Sequence, residues 1–273
     1  MTKIQWTDKT WNVVTGCTKC SPGCENCYAE AYARRLQANP KTKEKYRNGF
    51  GVTFHEDVLE EPLRWKKPRK VFVCSMGDLF HEEVPFSFVA DVMGTIRSTP
   101  QHTYLMLTKR PRNMKQFFEN RRDEMPSNIW LGVTVCNQAE ANEKIPVLLG
   151  IPATVRFVSV EPMLEEIDLT PYFIQFMCVA CRFETISHVK SFVCPKCKQQ
   201  HLGSMYFSPA LDWLIVGGET GANARPMNPD WARALRDQCK ETGTPFFFKQ
   251  MAKKQPIPED LLIREFPKGG SEL

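Results

Sequence analysis

The 273-residue chain is 42% hydrophobic with a formal charge of +5, enough apolar material for one large core or two small ones. It has no apolar run long enough to span a bilayer, and its opening MTKIQWTDKTW lacks the apolar stretch of a secretory signal, which points to a cytoplasmic protein with no membrane partner. In that reducing setting eleven cysteines are metal ligands or buried thiols rather than a disulfide framework.

A first strand is expected near residues 10–15. It runs into TGCTKCSPGCENCYAE, residues 15–30, which holds Cys17, Cys20, Cys24 and Cys27. Cys20-x-x-x-Cys24-x-x-Cys27 has the spacing of a [4Fe–4S] cluster held by three thiolates, an arrangement that leaves one iron open to S-adenosylmethionine. The alternative is a structural zinc held by the pairs Cys17-x-x-Cys20 and Cys24-x-x-Cys27, but the three residues between those pairs are cramped for a ribbon. Residues 37–70 are polar and punctuated by Pro and Gly, and read as a long surface excursion.

Strands follow at VFVCSM (71–76), TYLMLT (103–108), IWLGVTV (129–135), VRFVSV (155–160), LDWLIVGG (211–218) and PFFFKQ (245–250). These runs are nearly continuous in apolar residues, which predicts burial on both faces and a parallel sheet. Helices fall between them. Residues 86–98 place Val89, Val92, Met93 and Ile96 on one face, and 112–122 group Met114, Phe117 and Phe118. Asn137 and Glu140 predict a capping box for a helix that Pro146 should break. Asn228, Pro229 and Gly243 frame the last helix as N-cap, first residue and stop. The alternation means α/β. About seven βα units are one short of a closed barrel, so a partial or irregular (β/α) barrel is expected, with a doubly wound open sheet as the alternative.

One segment breaks the rhythm. In residues 178–201, Cys178-x-x-Cys181 and Cys194-x-x-Cys197 form two knuckles whose four thiolates suit a closed tetrahedral Zn²⁺ site. The expected organisation is therefore a barrel over 1–176 and 206–273, with a zinc-ribbon-like knuckle of four cysteines inserted at 177–205. With both metal sites filled the formal charge drops to about +2, so global charge says little about nucleic acid. Local basic stretches remain at 64–70 (RWKKPRK) and 108–112 (TKRPR).

In a parallel barrel, chemistry gathers at the C-terminal strand ends. Polar residues are expected at that rim: Ser75 and Asp78, Lys109 and Arg110, Thr134, Ser159 and Glu161, Glu219, and Lys249 with Gln250.

Several blocks in order, from WTDKTWNVVTGC…SPGCENCYAE through VFVCSMGDLFHEEVP, TYLMLTKRP, NIWLGVTV, VRFVSVEPML and LDWLIVGGETGANARPM to PFFFKQ, resemble a phage and prophage family of unknown function with a three-cysteine motif, radical-SAM-like. The resemblance omits the knuckle and roughly the last twenty residues. It implies a radical-SAM type of barrel with cluster ligands Cys17, Cys24 and Cys27, where generic spacing favours Cys20 as the third ligand. On this likeness Ser75 and Asp78 meet the cofactor amino group, Glu161 and Glu219 its ribose or the substrate, and Lys109 and Arg110 a carboxylate or phosphate.

The function implied is a radical S-adenosylmethionine enzyme, encoded by a phage or prophage in a bacterial host. It would make a 5′-deoxyadenosyl radical for hydrogen abstraction, with a nucleotide or nucleic-acid base as one substrate class. Its partners would be an electron donor of flavodoxin or ferredoxin type and a protein that supplies specificity. The alternative is a non-catalytic, zinc-stabilised nucleic-acid-binding or interaction module. A hydrolytic barrel enzyme is a third reading, without a paired-acid motif to support it.

Overall fold

The computed structural model describes residues 4–119, 121, 125–173, 175–177, 181, 184–186, 191–193, 196–198, 200–202, 207–208 and 211–267. The chain opens with β1 (Lys9–Trp11) and β2 (Val14–Thr15), then helix α1 (Tyr28–Ala38) and β3 (Thr53–Phe54). A βα alternation follows: β4 (Lys70–Val73), α2 (Phe86–Arg97), β5 (Thr103–Thr108), α3 (Pro111–Glu119), β6 (Ile129–Val135), α4 (Gln138–Leu149), β7 (Val155–Val160) and α5 (Thr170–Phe173). Five short strands come next: β8 (Gln175–Met177), β9 (Glu184–Ile186), β10 (Ser191–Val193), β11 (Gln200–Leu202) and β12 (Phe207–Ser208). The alternation then resumes with β13 (Trp213–Gly217), α6 (Pro229–Thr242) and β14 (Phe246–Gln250).

Seven strands form one sheet in the order β1-β4-β5-β6-β7-β13-β14, every neighbouring pair parallel. The order never reverses. A doubly wound sheet needs a reversal to put helices on both faces, whereas right-handed crossovers in one direction put them all on one. The sheet therefore curls around its other face as a half-barrel, with β1 and β14 as unjoined edges. The short strands lie outside this sheet: β12, β8 and β9 form one small sheet, and β10 and β11 a hairpin.

Alternate residues along each strand face opposite ways. Val71, Val73, Tyr104, Met106, Leu131, Val133, Val158, Leu214 and Phe248 join the helices in the large outer core. Their neighbours Phe72, Leu105, Trp130, Phe157, Trp213, Ile215 and Phe247 form a second core with Trp6 inside the curl. Gly132 belongs to this inner row because the Phe157 ring occupies its side-chain space; a Cβ there would lie 2.5 Å from the ring.

Two local expectations fail. Pro146 sits inside α4 without ending it. It removes one late hydrogen bond, but Ile145 and Leu148 on either side are fully buried, and that packing carries the helix on to Leu149. The capping box is also only half formed. The Asn137 side chain accepts the Glu140 N–H at 2.8 Å, but the Glu140 carboxylate turns to the Cys136 N–H at 2.9 Å and to Lys144 Nζ at 2.6 Å. α6 follows its signals: Asn228 accepts from Asp230 N–H, Pro229 leads, and Gly243 closes at φ 72°. Among the described residues no helix is long and apolar enough to cross a membrane.

Candidate active site

The inner rows change character towards the C-terminal strand ends. Two residues beyond Phe72 comes Cys74, beyond Leu105 comes Leu107, beyond Phe157 comes Ser159, and beyond Phe247 comes Lys249; Thr134 is two beyond Gly132. Cys74, Leu107, Thr134, Ser159 and Lys249 all line a cavity of about 320 Å³ floored by Trp6 and Phe72. β4 stops short of the expected residue 76 because Cys74 takes a left-handed backbone, φ 59°, which swings Ser75 to Asp78 over the rim. Each polar strand-end residue read from the sequence lines this cavity: Ser75, Asp78, Lys109, Arg110, Thr134, Ser159, Glu161, Glu219, Lys249 and Gln250.

The cysteine loop closes one wall. Cys17, Cys24 and Cys27 line the cavity; Cys20 does not, and it is exposed. Gly16 admits this loop because its φ of 86° and the backbone of Gly51 pressed against it exclude any side chain. A hydrogen bond from the Cys20 thiol holds Cys24 down, to about 5, against the cost of burial, and Lys109 adds to the effect. Burial and the Asp78 carboxylate push Cys17 up to about 11, opposed by Arg110.

Arg110 fastens the loop from one side. It is buried, and its guanidinium donates to Cys17 Sγ at 3.3 Å, to Thr18 O at 3.0 Å and to Thr18 Oγ1 at 2.9 Å. Glu82 receives its Nε at 2.7 and 2.9 Å, and Asp78 lies 3.6 Å away. Asp78 in turn accepts Thr108 Oγ1 at 2.8 Å and the backbone N–H groups of Phe80 and Lys109 at 3.0 and 3.2 Å. These partners make Asp78 an anchor for Arg110.

Arg225 fastens the loop from the other side. It donates to Pro22 O at 3.0 Å, to Glu25 at 2.9 Å and to both Glu219 oxygens at 2.6 and 3.0 Å. Asn26 Nδ2 also reaches Glu219, at 3.0 Å, and Asn223 O at 3.0 Å. Burial raises the Glu219 carboxyl, but the Arg225 hydrogen bonds outweigh it and hold the group below the usual carboxylate range. Elsewhere on the rim, Glu161 pairs with Lys249 at 2.9 Å and accepts Ser159 Oγ at 3.1 Å. Ser75 Oγ donates to Asn12 at 3.1 Å, and the Tyr28 hydroxyl donates to Ser75 O at 2.6 Å.

Arg225, Asn26, Asn12 and Glu82 are the site residues that sequence reasoning passed over. Arg225 was within reach: it stands in GETGANARPM, six residues after the strand-end Glu219. Asn12 and Glu82 carry no motif, and only the fold brings them in.

Among the described residues no three His, Cys, Asp or Glu side chains converge to hold a single metal ion. Cys17, Cys24 and Cys27 line the same cavity as Lys109 and Arg110; a multi-iron cluster takes one thiolate per iron and so could draw on three thiols that do not converge on a single point. At the expected zinc knuckle, Cys178 and Cys194 lie outside the described residues, while Cys181 and Cys197 are half-buried.

A family model described as "protein of unknown function (DUF5131)" matches residues 1–261. No curated protein matches the chain. Among solved structures the chain is similar to one described as a cysteine-to-serine mutant of spore photoproduct lyase, with 10% identity over 88% of this chain and 76% of that one and a TM-score of 0.45.

Proposed function

The chain belongs to DUF5131, a family of proteins of unknown function, and we propose that it is a radical S-adenosylmethionine enzyme with a [4Fe–4S] cluster on Cys17, Cys24 and Cys27. One observation carries this reading: these three thiols line a cavity at the C-terminal rim of a parallel half-barrel, together with Lys109 and Lys249, while Cys20 stays outside the cavity. When bound, such a cluster supplies the electron that splits the sulfonium of S-adenosylmethionine into methionine and a 5′-deoxyadenosyl radical for hydrogen abstraction, drawing on a flavodoxin- or ferredoxin-type donor.

The chain's own residues do the positioning. Arg110 and Arg225 hold the cysteine loop at Thr18 and Pro22, so the thiols are pre-set before any ligand arrives. Lys109 offers a cation to a carboxylate or phosphate and Ser75 a polar oxygen to an amino group, while Lys249 and Glu161, paired at 2.9 Å, would meet a carboxylate and an amino group or ribose by exchanging that pairing for the ligand. Asp78 and Glu219 act through the two arginines, because their oxygens are already taken. The Trp6 and Phe72 floor keeps water from the cavity base. In segment 177–205, Cys178, Cys181, Cys194 and Cys197 are proposed to hold a structural Zn²⁺. A non-catalytic binding module has no use for a cavity ringed by charged strand-end side chains, so that alternative is the weaker one.

The test is anaerobic reconstitution with iron and sulfide, followed by S-adenosylmethionine and dithionite. Release of 5′-deoxyadenosine is the expected result. A colourless protein with two zinc ions, no iron and no cleavage overturns the reading.

A further inference from the structure

Tyr28 and Tyr32 stand one turn apart on α1 and are 53% and 50% exposed, while Ala29 and Ala33 beside them are buried. Arg35 continues the same exposed stripe. The Tyr32 ring is left in solvent and does not serve the core, while the accessible area of Tyr28 borders the cavity. The Tyr28 hydroxyl bond to the Ser75 carbonyl holds that ring at the mouth.

The next segment folds back against this helix. Tyr46 is buried with Ala29, Ala33 and Met76, and Cys27 and Phe50 pack on the same cluster; Tyr32 is near enough to act electrostatically on Tyr46. The segment reads KTKEKYR over 41–47, and residues 28–47 carry six Lys or Arg against two Glu. Arg34 pairs with Glu30 at 2.8 Å and Arg47 with Glu44 at 2.9 Å. Arg35, Lys41, Lys43 and Lys45 make no ion pair among the described residues.

Cations alone would suit any polyanion, an acidic protein included. Uncovered rings between those cations and a cavity favour one whose units have flat apolar faces, since bases stack on aromatic side chains while phosphates follow the charges. A duplex hides those faces in its own stack. We propose that single-stranded nucleic acid binds along the outer face of α1, with bases on Tyr28 and Tyr32, phosphates on Arg35, Lys41 and Lys43, and one nucleotide entering the cavity. The last element rests on the radical-SAM reading of that cavity, and binding along the stripe does not.

The experiment is fluorescence anisotropy of the full chain, without added iron or S-adenosylmethionine, on labelled DNA and RNA homopolymers of about 12 nucleotides. Wild type should prefer single strands to duplex, with affinity falling steeply as salt rises. Tyr32→Ala should weaken binding about fivefold or more, Tyr32→Phe should restore it, and Lys41→Glu with Lys43→Glu should weaken it and flatten the salt dependence. No binding at low salt overturns the proposal, as does binding that neither variant alters. Binding of an acidic flavodoxin-type protein, lost in the same charge variant while oligonucleotides fail to bind, would assign the surface to a protein instead. Any of these failures leaves 5′-deoxyadenosine release untouched, and a chain that binds single strands but cannot split S-adenosylmethionine would fail only the earlier reading.

Discussion

The two ends of the half-barrel's inward rows are made differently. Towards the N-terminal strand ends the inner positions are Phe72, Trp130, Phe157, Trp213 and Phe247, packed ring on ring with Trp6. The Trp6 and Phe72 centroids are 4.6 Å apart, and Trp213 meets Phe247 edge-on at 6.0 Å. Two residues further along the same strands, Cys74, Ser159 and Lys249 face a cavity. One layer of each strand holds the curl together and the next is free to carry chemistry. Substitutions in the two layers should therefore fail in different ways: loss of folding at one end, loss of ligand at the other.

Trp213→Ala should have the largest effect on folding. Removing the ring that touches Trp6, Trp130, Phe157 and Phe247 should cost about 3–5 kcal/mol, read from urea unfolding. A variant that unfolds like wild type would break the distinction between layers. Gly132→Ala comes next. Its Cβ would lie 2.5 Å from the Phe157 ring, so that ring must move, at about 1–3 kcal/mol, again measured by urea unfolding.

The smallest effect belongs to the rim and depends on pH. Glu219 is held below its ordinary value of 4.5, with Arg225 hydrogen bonds overcoming burial. The folded state therefore binds this proton less readily than the unfolded chain. The resulting stabilisation is present above about pH 4.5 and fades as pH falls through the folded-state value. Glu219→Gln should be less stable than wild type at pH 6, and the gap should narrow towards pH 4. A gap that widens in acid would show that Arg225 does not hold the carboxylate in its charged form.

The parallel sheet was legible because strands buried on both faces must be apolar almost throughout. The runs at 103–108, 129–135 and 155–160 are the observed β5, β6 and β7. The rim was legible for a related reason: polar residues ending such runs have only one end of the barrel to occupy. Pro146 misled because tertiary burial of Ile145 and Leu148 outweighs a local helix breaker. The pairing of Arg225 with the cysteine loop spans about two hundred positions of chain, and no local pattern reports so distant a contact. Which cysteines line the cavity was hidden from spacing alone, which favours Cys20; the family resemblance pointed to Cys17, Cys24 and Cys27, the three that line it, with the turn at Gly16 leading into the loop.

The central claim concerns those three cysteines, and metal content after anaerobic reconstitution tests it most directly, with wild type, Cys17→Ala and Cys20→Ala compared side by side. The account predicts about four irons per chain in wild type, nearly the same in Cys20→Ala, and almost none in Cys17→Ala. Full iron in Cys17→Ala with loss in Cys20→Ala would contradict it, because the cluster would then sit outside the cavity that the half-barrel provides.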